Sequence, residues 1–178
     1  MTTVTIPETK ETMRQTKEAG KFIPHTSSLQ AGDKAPWFEG VDALGHVIRL
    51  SDFRDKKVLL YFYPKDNTAA CTAQACNLRD HQEELSERGI SVIGVSADSE
   101  DSHRRFAEKH ELPFPLISDK QLEIIKAYDV WGQKMLYGRI YEGLVRTSFL
   151  IDERGYILAV LRDINTKAHS EQILHYFK

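Results

Sequence analysis

Two unbroken apolar runs on either side of a helical stretch constrain this chain more than any other feature. Lys57-Val58-Leu59-Leu60-Tyr61-Phe62-Tyr63 is bounded by charges and by Pro64, and Ile90-Ser91-Val92-Ile93-Gly94-Val95-Ser96 repeats that texture further on. Continuous rather than alternating hydrophobicity is the pattern of a strand buried on both faces. Between the two runs, Cys71–Arg88 carries helical spacing through Leu78 and Leu85, and Gly89 suits the left-handed residue that closes a helix. Ser99–His110 reads as a second helix, acidic early and basic late, matching the helix dipole. Two βα units in succession imply a parallel sheet.

The remaining segments extend that sheet. A strand is expected at Pro113–Ile117 and a short helix at Lys120–Tyr128. Arg146–Asp152 and Tyr156–Leu161, joined by Asp152-Glu153-Arg154-Gly155, form an antiparallel hairpin, and a closing helix runs from Lys167 to Phe177. Upstream, Ala31–Pro36 is turn-rich and Val41–Leu50 is hairpin-like. The order βαβα, hairpin, helix is that of an α/β protein with a thioredoxin-like fold, a central mixed sheet flanked by helices. Residues 1–29 are polar, with a short helix expected at Glu8–Ala19 and then Gly20, Pro24 and Ser27-Ser28 as punctuation. They read as an N-terminal extension packed loosely or not at all, ahead of one domain at 30–178.

A length of 178 residues suits a single domain, since a chain of this size buries roughly 70% of its unfolded surface. Lys and Arg number 24 against 26 Asp and Glu, with a pI near 6.4. No large field of either sign exists to attract nucleic acid or a membrane surface, so neither is an expected partner. There is no run of 18 apolar residues, and the N-terminal Met1-Thr2-Thr3-Val4-Thr5-Ile6-Pro7 has no secretory pattern. Glu8, Glu11 and Glu18 are also foreign to a mitochondrial-type leader. A cytoplasmic setting is therefore expected, where a cysteine pair is catalytic, redox-sensing or metal-binding rather than structural.

The chain has two cysteines, Cys71 and Cys76, and both fall where the first apolar strand hands over to the helix. A thiol at a helix N-terminus faces the positive end of the dipole and unpaired N–H groups, which favours its thiolate. Pro64, with no N–H and a fixed φ, can wall off one side of a pocket, and Thr68 offers a hydroxyl to a thiolate or a substrate oxygen. On an ideal helix Cys71 and Cys76 are separated by about 7.5 Å of rise and about 140° of rotation, so their Cα atoms lie roughly 8.6 Å apart. A disulfide needs less than about 7 Å, so a bridge forms only if the first turns unwind. Other readings of the pair stay open on spacing alone. Cys76, beside Ala73 and Ala75, suits inert packing; a zinc site would lack C-x2-C spacing and would place His81 along the same helix; a disulfide reductase would need C-x-x-C.

Pro64-x-x-x-Thr68-x-x-Cys71 matches the P-x-x-x-T-x-x-C motif of peroxiredoxins. Tyr61–Thr68 and Cys76-Asn77-Leu78-Arg79-Asp80 resemble the bacterioferritin comigratory protein (PrxQ) subfamily, as do Ala31–Pro36, Val130-Trp131-Gly132 and Gly143–Asp152 in their order. The resemblance covers residues 29 to 178. It implies a thiol peroxidase with Cys71 as peroxidatic and Cys76 as resolving cysteine, and with Pro64, Thr68 and Arg146 as companions. Arg146 would stabilise the thiolate and the charge on the departing oxygen, and Gln74 would orient it. The implied cycle reduces hydrogen peroxide or an organic hydroperoxide, passes through a Cys71–Cys76 disulfide, and uses thioredoxin or a similar dithiol without metal, haem or flavin. A monomer is implied, with a dimer open.

The chain departs from the family pattern in three places. Ala69-Ala70 stand where Pro-Gly is usual before the cysteine, Trp37 where an acidic residue is frequent, and the extension of 29 residues is unusual. These leave two further readings open: a redox sensor that switches a partner surface with little turnover, and a peroxidase with one working cysteine.

Overall fold

The computed structural model describes residues 21–177. The expected helix at Glu8–Ala19 lies outside these residues. In chain order the strands are β1 (Glu39–Asp42), β2 (Val47–Arg49), β3 (Lys57–Phe62), β4 (Ile90–Ser96), β5 (Leu116–Ser118), β6 (Trp131–Leu136), β7 (Arg139–Leu144), β8 (Thr147–Ile151) and β9 (Ile157–Leu161). The α-helices are α1 (Ala69–Asp80), α2 (Gln82–Glu87), α3 (Glu100–His110), α4 (Glu123–Ala127) and α5 (His169–Leu174).

Seven strands form one mixed sheet in the order β2-β1-β5-β4-β3-β8-β9. The two apolar runs are its centre: β3 and β4 pair in parallel with Leu59 opposite Val92, and β8 flanks β3 antiparallel with Leu60 opposite Phe149. Alternate residues of β3 feed two cores. Leu59 and Tyr61 point to the side covered by Cys71, Ala75 and Leu78 of α1, Phe106 of α3 and Ile173 of α5. Val58, Leu60 and Phe62 meet Ile124 and Ile125 of α4 on the other side. The central mixed sheet flanked by helices is thus present.

Several boundaries differ from expectation, each for a local reason. The helix expected over Cys71–Arg88 begins two residues earlier and breaks at His81, whose Nδ1 donates to Asn77 O at 2.8 Å and closes α1. Strand β5 starts at Leu116 rather than Pro113, because prolines at 113 and 115 bring no N–H to a ladder. Helix α4 is shorter than Lys120–Tyr128: Leu122 is left-handed, and the Asp119 carboxylate accepts Glu123 N and Ile125 N at 3.0 and 2.8 Å. The closing helix ends as a 3-10 turn at His175–Phe177. The β6–β7 hairpin was not expected at all. It turns at Tyr137-Gly138, both with positive φ as a tight two-residue hairpin requires.

The stretch before residue 30 is not loose where it is described. His25 N donates to Gln133 O at 3.0 Å, Ser27 Oγ to Tyr128 O at 2.6 Å, and Ser28 N to Asp129 Oδ2 at 2.7 Å. Arg162 Nη2 closes over it, donating to Ser27 O and Leu29 O at 2.9 and 2.8 Å. A Cβ at Gly132 would meet the His25 ring at 2.3 Å, so the dock needs glycine there. Residues 25–29 therefore pack as part of the globular unit, because their backbone donors and acceptors find fixed partners.

Candidate active site

Strand β3 ends at Phe62, and the chain leaves the sheet through Pro64 into the loop that delivers Cys71. That loop is held from beneath by a buried polar cluster. Asp66 Oδ1 accepts from Tyr63 Oη at 2.6 Å, and Oδ2 accepts from Ser102 Oγ at 2.8 Å and His103 Nδ1 at 2.6 Å. The Asp66 N–H donates to Asp98 Oδ2 at 2.8 Å, and His103 Nε2 donates to Ile117 O at 3.0 Å. His103 is fully buried. Asp66, Asp98 and His103 bring ligand-type atoms within 4.8 Å of one another. Those atoms are already spent on the loop and its neighbours, so the cluster serves as an anchor. Neither Asp66 nor His103 stood out in the sequence, since they are 37 residues apart.

Asn67 takes a left-handed φ of 61°, and Thr68 then enters α1 at the N-cap position. The Thr68 hydroxyl donates to Lys65 O at 2.9 Å, so in this state it shapes the loop rather than reaching the sulfur. Thr72 N to Thr68 O, 2.9 Å, is the first bond of the helix. Cys71 consequently lies in the first turn, where N–H groups have no intrahelical acceptor and the dipole is positive. It is 1% exposed and unbridged.

Arg146 reaches this sulfur because of strand register. Strand β8 runs antiparallel to β3 with Thr147 opposite Phe62, so the residue preceding β8 lies beside the exit of β3. Arg146 Nη2 donates to Cys71 Sγ at 3.1 Å, and Nη1 donates to Gln74 Oε1 at 2.5 Å. Gln74 is fully buried one turn beyond Cys71 and holds the guanidinium plane. The structure thus brings Cys71, Arg146 and Gln74 together, with half-buried Pro64 on the same loop. Two groups missed in the sequence add to the electrostatics. Burial, with Arg146 behind it, lowers the Lys134 ammonium from its usual range, against an opposing pull from Cys71; its Nζ donates to Leu144 O at 2.6 Å. Burial first, then Cys71 and Asp66, push the Tyr61 hydroxyl well above its usual range, so it stays neutral.

Cys76 is half-buried farther along α1, with Sγ 3.8 Å from His110 Nδ1 at the end of α3. Among the described residues, the one cluster of metal-ligand type contains no cysteine. The second half of α1 is tied down beyond Cys76. Asn77 Nδ2 donates to Lys167 O at 3.0 Å and its Oδ1 accepts from Ser170 N at 2.8 Å, while Arg79 Nη1 donates to His110 O at 2.7 Å.

A buried cysteine at a helix start, bonded by an arginine just ahead of a strand of a mixed sheet, defines the thiol peroxidase class, and comparison with known proteins agrees. Residues 31–160 match the AhpC/TSA family, and the chain belongs to it. It is 44% identical over 150 residues to peroxiredoxin Bcp of Escherichia coli (strain K12), spanning 84% of this chain and 96% of that one. It is 40% identical over 151 residues to peroxiredoxin Bcp of Bacillus subtilis (strain 168), spanning 85% and 96%. The crystal structure of Xylella fastidiosa PrxQ, a cysteine-to-serine variant, superposes with a TM-score of 0.79 at 30% identity, covering 85% of this chain and 97% of that one. The fold is the thioredoxin-like fold of peroxiredoxins, and the chain is a thiol peroxidase of the Bcp/PrxQ kind. No helix among the described residues is long and apolar enough to cross a membrane.

Proposed function

We propose that Cys71 is the peroxidatic and Cys76 the resolving thiol of a thioredoxin-dependent peroxidase acting on hydrogen peroxide and organic hydroperoxides in antioxidant defence. The observation that carries this reading is the 3.1 Å bond from Arg146 Nη2 to Cys71 Sγ in the first turn of α1. A guanidinium there stabilises the thiolate before attack and the negative charge on the leaving oxygen during it. The sulfur attacks the terminal peroxide oxygen, the O–O bond breaks, and water or an alcohol leaves once protonated. Cys71 is left as a sulfenic acid. Pro64 walls the pocket, and the exposed Thr68 hydroxyl turns from Lys65 O to meet the bound peroxide. Helix α1 then unwinds far enough for Cys76 to attack Cys71, forming the disulfide and releasing water. A dithiol of the thioredoxin type restores both thiols by exchange. A reducing compartment such as the cytoplasm supplies such a dithiol. All of these groups come from one chain, which supports action as a monomer.

Intact mass after one equivalent of hydrogen peroxide tests the assignment. The parent loses two hydrogens, Cys76→Ser gains one oxygen, and Cys71→Ser is unchanged. A parent that gains oxygen without losing hydrogens contradicts the resolving role of Cys76.

A further inference from the structure

The contact between Cys76 and the end of α3 is not explained by packing alone. Phe106 is fully buried on α3, and His110, one turn later, lies against it with ring centroids 5.2 Å apart. The rings meet edge to face at 73°, which holds the imidazole against the apolar surface beside α1. Arg79 Nη1, donating to His110 O at 2.7 Å, fixes that turn of backbone. Nδ1 then stands 3.8 Å from Cys76 Sγ, within hydrogen-bonding reach for sulfur, and among the described residues no other side chain hydrogen-bonds this thiol.

Resting on the reading of Cys76 as the resolving thiol, we propose that His110 is its proton acceptor, a catalytic residue of the resolving step rather than of the peroxide step. The groups facing His110 keep it unprotonated before the step. Burial, then Lys109 on its own helix and Arg79 on α1, lower the imidazole from its usual value. It is therefore neutral at pH 7 and holds a free lone pair. Unwinding of the front turn brings the Cys71 sulfenic acid to Cys76, which stays beside His110; as Sγ of Cys76 attacks, its proton passes to His110 Nδ1, the S–S bond forms, and the S–O bond of the sulfenic acid breaks. The departing hydroxide takes a proton from water, and the imidazolium gives its own to solvent, so one water is released overall. Sulfur at Cys76 is oxidised and sulfur at Cys71 reduced, with no other electron donor.

An unassisted thiol with an ordinary pKa of about 8.5 is only about 3% thiolate at pH 7, so priming is worth at most about 30-fold. The test uses the full chain as parent, His110→Asn and His110→Gln, mixed with one equivalent of hydrogen peroxide and quenched by acid and thiol alkylation from pH 5 to 9. Cys71 oxidation and disulfide formation are timed separately by mass. We expect Cys71 oxidation at the parental rate in both variants and disulfide formation slowed about tenfold at pH 7. The parent should lose resolving rate only below about pH 6.5, whereas the variants should climb with pH towards the ordinary thiol value. A merely structural role would change the rate without moving that pH profile. Equal rates, or a slowed rate with the parental pH profile, would overturn the role of His110. A parent whose Cys71 is not oxidised would instead overturn the peroxidase assignment of Cys71 itself.

Discussion

At the scale of single residues, Arg146 carries the greatest share of the proposed chemistry. Its two terminal nitrogens are both committed, one to Cys71 Sγ and one to Gln74 Oε1, so charge and orientation are supplied together. Removing a preorganised donor of this kind costs about 10²–10³ in rate. Arg146→Ala should therefore slow Cys71 oxidation by about that factor in stopped-flow titrations with hydrogen peroxide. Arg146→Lys should fall less, since it keeps a charge but cannot serve both partners. Parental rates in Arg146→Ala would contradict the assignment. The meeting of Cys71 with Arg146 was legible in the sequence because strand, proline, threonine and cysteine follow in order and the arginine stands at the start of a recognisable strand. Asp66, His103 and His110 were not. The contacts that give them their place, Asp66 with His103 and His110 with Cys76, span 37 and 34 residues and form only after α3 has folded back across the sheet.

At the scale of elements, α1 must be both a helix and a hinge. Its front turn is exposed at Ala69 and Ala70, whereas its back half is tied to α5 by Asn77 and to α3 by Arg79. Alanine at position 70 strengthens the front turn by up to about 1 kcal/mol relative to glycine. Ala70→Gly should raise the unwound population up to about fivefold and speed disulfide formation correspondingly, with Tm lower by at most a few degrees. A slower or unchanged resolving rate, followed by mass after a peroxide pulse, would contradict this. Helices and strands with strong local signals read well: β3 and β4 as unbroken apolar runs, and α3 through its Ser99 cap, whose side chain accepts Ser102 N at 3.2 Å. The β6–β7 ribbon did not, because it lies outside the main sheet and exposes Met135, Leu136, Tyr137 and Ile140, leaving no alternation to detect. The break at His81 was equally silent, since histidine is an ordinary helix residue until its ring bonds the carbonyl four residues back.

At the scale of the whole molecule, the sheet is the device that assembles the site. Parallel pairing of β3 with β4 places the Cys71 loop over Asp98, and antiparallel pairing with β8 sets Arg146 at the exit of β3. The fold class was readable because these pairings follow from apolar runs and short connections. The docking of residues 25–29 was not, since polar Ser27 and Ser28 give no hydrophobic signal and bind through backbone and hydroxyl groups. The central claim concerns this assembled molecule as a peroxide-reducing catalyst built on Cys71. Its most direct measurement is NADPH consumption with thioredoxin, thioredoxin reductase and hydrogen peroxide, comparing the parent with Cys71→Ser. The account predicts sustained turnover by the parent and none above background in the variant; equal turnover in the two would contradict it.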